Sequence, residues 1–233
     1  MRTIFYFLIL MSTTTVFAKR NTPWAKINKP APGPSEAIGG YSNGCIIGAV
    51  SLPEKGRGYT SIRRFRNRYY GHSTLVDYLK QLGARLDEQG VGEILIGDLS
   101  QPQGGLMGYG HRSHQLGLDA DIWFSRPKKG KRAKDEYFQS LVDRKNELIV
   151  RSRWTSDVIK VLKTAASDER VSRIFVHWVI KHQLCRDVKE DRDWLRKIRA
   201  WWGHHRHFHV RLLCPKGSKD CKNQGSIKAG DGC

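Results

Sequence analysis

The sequence predicts an α+β fold with a central antiparallel sheet, flanking helices and long loops. Segments with the apolar spacing of amphipathic helices and segments with strand character both occur, without the alternating rhythm of parallel βαβ units. A length of 233 residues suits one large domain with extensions.

The N-terminal segment predicts a secretory signal peptide over residues 1–18. Arg2 precedes an unbroken apolar run at residues 4–11, and Ala18 supplies a small residue at the expected cleavage position. A membrane anchor is the alternative, but the apolar run is shorter than the ~20 residues that cross a bilayer. We therefore expect no stable membrane insertion of the mature chain.

The segment that follows predicts an extended N-terminal arm over residues 19–44, because it holds four prolines and several glycines. The main domain is expected over residues 45–233. Its first half contains apolar residues at helical spacing from Leu75 to Leu86, followed by Gly90, which predicts a helix over residues 75–89. The other elements predicted for this half are strands at residues 93–99 and 121–124, a glycine-rich loop at residues 102–110 and a charged surface loop at residues 128–134.

The second half of the domain predicts two further helices and two further strands. Val158, Val161 and Leu162 lie at helical spacing, and Thr155 or Ser156 offers an N-cap. The predicted elements are a helix at residues 157–166, a strand at residues 173–176, a short helix at residues 193–202 and a strand at residues 207–213.

Two histidine clusters predict a metal site. Residues 111–121 and 203–210 hold six of the nine histidines, and the first cluster adds two aspartates. Side chains alternate faces along a strand, so His207 and His209 point the same way and can present two imidazoles to one site. Imidazole and carboxylate suit zinc, and three protein ligands with one open position are typical of catalytic zinc. A lone histidine is more often a surface or core residue, but two clusters in one chain favour a metal.

Five cysteines lie outside the predicted signal peptide: Cys45, Cys185, Cys214, Cys221 and Cys233. An oxidising compartment favours disulfides, and the odd count leaves at least one cysteine free or paired between chains. A disulfide between Cys214 and Cys221 can close a short loop, and Cys185 is the best partner for Cys233, although spacing leaves the connectivity open. A zinc–cysteine cluster is the competing interpretation, which the absence of a CxxC pair disfavours.

The chain is strongly basic, with a formal net charge of +19; removal of Arg2 with the signal peptide takes away one charge and leaves +18. The charge is scattered over clusters at residues 63–68, 128–134, 186–199 and 216–222. Such charge attracts polyanions without specifying them, and an exported protein meets anionic cell-wall polymer and membrane surface more often than nucleic acid. A solvated basic surface without a partner is the alternative.

The residues of the two histidine clusters resemble a known metallopeptidase family. The residues that carry the resemblance are Ser113, His114, Gly117, Asp119, Asp121, His207 and His209. The set is similar to the family that includes lysostaphin-type enzymes, D-Ala-D-Ala carboxypeptidases and dipeptidases, and the hedgehog signalling domain. The similarity to peptidoglycan-cutting members covers most of residues 23–233, through the segments 43–45, 69–72, 95–98, 173–176, 191–197 and 209–212.

The resemblance implies a role for each matching residue. The implied ligands of one zinc per chain are His114, Asp121 and His209. The implied catalytic residues, as base or transition-state stabiliser, are His207 and His204. We expect Asp119 to be structural or to orient a ligand histidine, with its side chain facing away from Asp121 if the two straddle one strand residue.

The resemblance also bears on a second metal and on the disulfides. His111 matches a residue tied to an accessory metal, but Lys145 and Leu148 stand where an aspartate and a histidine are expected, which puts a second zinc in doubt. The implied disulfides are Cys214–Cys221 and Cys185–Cys233, with Cys45 unpaired.

The implied activity is a zinc-dependent endopeptidase of the periplasm that hydrolyses D-alanyl–meso-diaminopimelyl cross-bridges in peptidoglycan. A metal-dependent route forms no acyl-enzyme on a serine, so we expect penicillin not to inhibit it. A zinc-stabilised binding module, as in the hedgehog branch, is the alternative, and the intact His204 and His207 disfavour it. A nucleic-acid binder is disfavoured by the predicted signal peptide and by the lack of a recognised binding motif.

Overall fold

The computed structural model describes residues 21–127 and 138–233. The predicted signal peptide and the predicted charged loop at residues 128–134 therefore lie outside the described residues. In the described parts the fold is α+β, as predicted, but the central sheet is mixed and not antiparallel.

The described residues form three α-helices: α1 (Ser73–Glu88), α2 (Ser156–Ala166) and α3 (Trp178–Asp187). Their 3-10 helices are Pro23–Lys26, Arg64–Arg66, Arg151–Arg153 and Asp193–Lys197. Their strands are β1 (Glu36–Gly40), β2 (Asn43–Ile47), β3 (Val50–Ser51), β4 (Lys55–Gly56), β5 (Tyr59–Ser61), β6 (Tyr70–Gly71), β7 (Ile94–Ile96), β8 (Asp119–Trp123), β9 (Val142–Asp143), β10 (Leu148–Ile149), β11 (Val171–Val176), β12 (Ile198–Ala200) and β13 (His207–Leu212).

The main sheet of the described residues has seven strands in the order β12-β11-β13-β8-β7-β5-β4. Two of its pairs, β11 with β12 and β5 with β7, are parallel, and the other four are antiparallel. The prediction of an antiparallel sheet is wrong because each parallel pair is joined by a crossover through a helix, α3 in one case and α1 in the other.

The predicted helices at residues 75–89 and 157–166 are confirmed as α1 and α2, which bury their apolar faces in one core. The predicted helix at residues 193–202 is wrong. A 3-10 helix covers Asp193–Lys197, and strand β12 follows, because Ile198 pairs with Ile174 of β11. Sheet pairing here overrides the local helical pattern.

The segment predicted as an arm contains a 3-10 helix, strand β1 and the start of β2. Strands β1 and β2 form an antiparallel hairpin that crosses the predicted boundary between residues 44 and 45. The hairpin is attached to the rest of the fold, since Ala37 is fully buried and the Tyr41 hydroxyl donates to the Leu212 carbonyl over 2.6 Å.

Disulfides join Cys185 to Cys233 and Cys214 to Cys221, and Cys45 is free, as the resemblance implies. Across the described parts, no helix is both long enough and apolar enough to cross a membrane.

Candidate metal centre

The centre of the sheet separates apolar from polar side chains along two paired strands. The residues of β8 and β13 that enter the core are Ala120, Ile122, Phe208, Val210 and Leu212. The residues between them pair across the strands as His207 with Trp123, His209 with Asp121 and Arg211 with Asp119. Because side chains alternate faces, these six share the opposite face of the sheet. The register of β8 on β13 therefore places the carboxylates and imidazoles together.

His114 reaches this face from the loop before β8. Its backbone has a φ of 68°, in the left-handed region, and its N–H donates to Asp119 Oδ2 over 2.9 Å. Its ring Nδ1 lies 2.7 Å from the Leu99 carbonyl oxygen, which can only accept, so Nδ1 carries the proton. Nε2 is left with its lone pair for a ligand.

Three side chains from these elements converge. His114 Nε2 lies 3.4 Å from Asp121 Oδ1 and 3.2 Å from His209 Nδ1, and His209 Nδ1 lies 3.4 Å from Asp121 Oδ1. All three residues are at most 5 % exposed, and Asp121 Oδ1 has no hydrogen-bond partner in the described parts of the chain. The structure thus brings together the three predicted ligands around a buried carboxylate oxygen.

Asp119 lies directly behind this group. Its Oδ1 is 3.1 Å from His209 Nε2, and its carboxylate also accepts two hydrogen bonds from Arg211, of 2.8 and 3.1 Å. The prediction that its side chain turns away from Asp121 is wrong, because residues two apart on a strand share a face. Its expected supporting role fits this contact, since a carboxylate behind a ligand histidine fixes the ring and its tautomer.

The charges of the site are strongly coupled. Burial alone would raise the pKa of Asp121, but His207, His114 and His111 outweigh it, and the pKa is well below its usual range. Burial and the nearby His111 lower the pKa of His114 to about 4. Burial opposes protonation of His209 as well, yet Asp119 and Asp121 raise its pKa. A buried, ionised carboxylate surrounded by imidazoles has the charge pattern of a cation-binding site.

The two predicted catalytic histidines border the three converging residues. His207 Nε2 lies 3.6 Å from Asp121 Oδ2, and its buried Nδ1 has no hydrogen-bond partner in the described structure. The His204 ring is centred 5.2 Å from that of His207, and its Nδ1 lies 2.8 Å from the Trp202 carbonyl oxygen. Burial lowers the pKa of both rings, that of His204 to about 3, so both are neutral at neutral pH.

His111 adds a further imidazole on the other side. With His114 and Asp121 it forms a group whose ligand atoms lie within 4.8 Å of one another and could hold a metal ion. Its Nε2 lies 3.7 Å from Asp121 Oδ2 but only 3.0 Å from Asp98 Oδ2. Leu148 lies exposed on β10, and its hydrocarbon side chain has no ligand atom for an accessory metal.

Asp98 is a site residue that the sequence interpretation missed. It is 4 % exposed, and besides His111 it accepts from Arg66 over 3.1 Å and from Arg68 over 3.0 Å. Although burial by itself raises its pKa, His111 and the two arginines hold it far below its usual range. A carboxylate two residues after the fully buried strand β7 was the available signal.

Two short matches to serine-nucleophile motifs occur in the sequence, Gly40-x-Ser42-x-Gly44 and Ser125-x-x-Lys128. The first is no nucleophile elbow, because Ser42 is an exposed residue in the turn between β1 and β2, where a strand-to-helix turn is required. In the second, Lys128 lies outside the described residues.

Comparison with known proteins agrees with this geometry. The family described as penicillin-insensitive murein endopeptidase matches residues 37–233. A protein of that name from Haemophilus influenzae is 44 % identical over 97 % of this chain and 84 % of its own length. Proteins of the same name from Salmonella paratyphi B and Salmonella newport are each 46 % identical, over 91 % of this chain and 78 % of their own lengths. The chain therefore belongs to the penicillin-insensitive murein endopeptidase family.

Proposed function

We propose that this protein is a zinc-dependent murein endopeptidase that hydrolyses D-alanyl–meso-diaminopimelyl cross-bridges in peptidoglycan. The observation that carries the proposal is the convergence of His114, Asp121 and His209 within 3.4 Å, in a chain of this family. As its name states, the family is one of endopeptidases that act on murein.

The three converging residues fit a zinc ion. Two imidazoles and one carboxylate are ligands that zinc accepts, and a set of three leaves one position open for water or substrate. The Leu99 carbonyl and the Asp119 carboxylate stand behind the outer nitrogens of His114 and His209, so both lone pairs face Asp121. The orphaned, buried Asp121 Oδ1 gives a further reason for a cation at this point. This donor set supports the proposal of one zinc per chain.

Bound zinc supplies Lewis acidity, which lowers the pKa of water toward ~7 and polarises a carbonyl. The protein side chains then have to move protons. His207 is neutral and adjacent to Asp121, so it can accept the proton of the attacking water and later deliver it to the leaving amine. Because His204 Nδ1 donates to the Trp202 carbonyl, its Nε2 carries a lone pair and is a second proton acceptor.

The surface around the site suits a polymeric anionic substrate. Trp201 and Trp202 are 61 % and 77 % exposed, and the Trp201 ring contacts Phe175, which itself packs on His209. Exposed aromatic rings beside a site offer contact area for sugar or peptide. The net charge, +19 for the full chain and +18 without the Arg2 of the signal peptide, attracts the anionic cell wall. We also propose export to the periplasm, because residues 1–18 have the pattern of a signal peptide and the proposed substrate is cell-wall peptidoglycan.

The test is digestion of purified cross-linked muropeptide dimers, with and without a chelator and with added penicillin. We expect conversion to monomers that the chelator abolishes, that added zinc restores and that penicillin leaves unchanged. Absence of cleavage by a folded, zinc-loaded protein would contradict the proposal and favour a binding module. The mass of the mature chain purified from cells tests export independently.

A further inference from the structure

Arg63 is an arginine beside the metal centre that the proposed mechanism does not use. Its guanidinium lies over the Trp123 ring, 4.4 Å from the ring centroid, and 4.9 Å from the centroid of Phe138. These two rings stack on each other with centroids 4.1 Å apart. Arg63 is half-buried, and its side chain makes no hydrogen bond or ion pair with any described residue.

The neighbouring arginines behave differently. Arg66 and Arg68 both donate to Asp98, so each has a carboxylate partner. Among the described residues no carboxylate lies within ion-pair distance of Arg63; burial and Arg66 lower the pKa of its guanidinium, and the more distant charges of Asp98 and Asp121 offset this only in part. A half-desolvated cation without a hydrogen-bonded anionic partner is costly, and such cations are normally paired. We therefore expect the anionic partner of Arg63 to be a group of a bound ligand.

The position of Arg63 points to the substrate. Its stacking partner Trp123 is paired with His207 across β8 and β13, and the Trp123 and His207 rings are centred 4.9 Å apart. The guanidinium thus lies one aromatic ring away from the residue proposed to deliver a proton to the leaving amine. A group attached to that amine comes close to Arg63.

The backbone of Arg63 supports a fixed placement. Its φ is 57°, in the left-handed region that non-glycine residues rarely adopt, and it directly precedes the 3-10 helix Arg64–Arg66. Such strained residues cluster at ligand sites, where the surrounding structure holds them. Stacking on Trp123 and Phe138 leaves the edge of the guanidinium, with its donor fork, available for a planar anion.

We propose that Arg63 binds the carboxylate of the residue whose amine is released, and so selects cross-bridges that carry a free carboxylate beside the scissile bond. The inference rests on the proposed function. In a D-alanyl–meso-diaminopimelyl bridge, the carbon that bears the scissile nitrogen also bears a carboxylate, and guanidinium pairs with carboxylate in a bidentate geometry. A carboxamide at this place offers one acceptor without charge and binds less well.

The first experiment compares two muropeptide dimers that differ only at this group, as carboxylate or carboxamide. For the wild type we expect kcat/KM to be about 10- to 100-fold higher with the carboxylate, the range of a hydrogen-bonded charge pair. Arg63→Gln should lose this preference by slowing only on the carboxylate dimer, and Arg63→Lys should retain part of it. Arg57→Gln removes the same charge from an exposed arginine that pairs with Asp87, and should keep the preference.

A binding measurement makes the result independent of cleavage. Calorimetric titration of metal-free protein with the monomeric product peptide, as carboxylate and as carboxamide, should show tighter binding of the carboxylate in the wild type and equal binding in Arg63→Gln. If the wild type cleaves both dimers equally fast and binds both product peptides equally well, the role of Arg63 is refuted and the proposed function stands. If it cleaves neither dimer yet binds the carboxylate through Arg63, the proposed function is refuted and the carboxylate site stands.

Discussion

Asp119 and Asp121 lie two residues apart on one strand and contact the two different nitrogen atoms of a single ring, that of His209. Asp119 Oδ1 is 3.1 Å from Nε2, and Asp121 Oδ1 is 3.4 Å from Nδ1. The first carboxylate favours a proton on Nε2, and the second shares the lone-pair side of Nδ1 with His114. Two neighbouring positions on the same face of the strand thus hold an orienting carboxylate, Asp119, and a proposed metal ligand, Asp121.

Replacement of Asp119 by Asn should weaken zinc binding about 10- to 100-fold, because the amide no longer fixes the His209 tautomer as a charged acceptor does. Competition with a chromophoric chelator measures this affinity. Asp77→Asn, an exposed carboxylate on α1, is the matched control and should bind zinc as the wild type does. Wild-type affinity in the folded Asp119→Asn protein would contradict the orienting role.

Substitution of the proposed zinc ligands and substitution of the proposed base should have different effects on zinc content. We expect His114→Ala and Asp121→Ala to lose both zinc and activity, and His207→Ala to keep zinc and lose activity, since His207 lies beside Asp121 and outside the three converging residues. Metal content by atomic absorption and dimer cleavage measure the two properties separately. A zinc-free or an active His207→Ala protein would refute its assignment.

Asp168 should make stability depend on pH. Its carboxylate accepts from Arg85 and Arg170 over 2.7 and 2.8 Å, and these hydrogen bonds outweigh burial and lower its pKa far below the ordinary 3.8. The folded state then binds protons less readily than the unfolded state, so the stabilisation is present above pH ~4 and is lost as the pH falls below it.

Urea unfolding of metal-free protein between pH 7 and pH 3 measures this dependence. At pH 7 we expect Asp168→Asn to lower the free energy of unfolding by about 1–2 kcal/mol, a low value because Arg85 is partly exposed. The difference between variant and wild type should shrink toward pH 3. A difference that stays constant over this range would contradict the ion-pair origin.

The two disulfides should differ in their effect on stability. Cys185 and Cys233 are 48 residues apart and Cys214 and Cys221 only 7, so the first constrains the unfolded chain more strongly. By loop-closure entropy we expect about 4 kcal/mol for the first and about 2.5 kcal/mol for the second. Urea unfolding of the two paired Cys→Ala variants measures this order, and a larger loss from the short loop would contradict it.

The sequence predicted the elements of the site better than the sheet that holds them. Strand β13 was identifiable because His207, His209 and Arg211 alternate with apolar residues, and Phe208 and Val210 between them enter the core. The same alternation of side chains places Asp119 on the face of Asp121, so the predicted opposite orientation of its side chain was avoidable. Arg63 left no pattern, because its environment is made by residues distant in sequence.

The remaining elements were hidden by local composition or depend on long-range pairing. Helix α3 was missed because its buried side includes Lys181 and Gln183, which interrupt the apolar spacing. The β1–β2 hairpin lies in a segment rich in glycine and proline, which favoured a loop. The parallel pairing of β12 with β11 has no local signal, since it depends on how α3 packs.

The wide separation of His114 and His209, 95 residues along the chain, has a consequence for the order of events during folding. A loop of that length has to close before the two rings meet, and non-local closure is slow compared with helix formation. We therefore expect the nascent chain to contain no assembled site for the proposed zinc ion, which would stabilise only the finished fold. The rate of zinc uptake by refolding protein should accordingly report when β8 and β13 come into register.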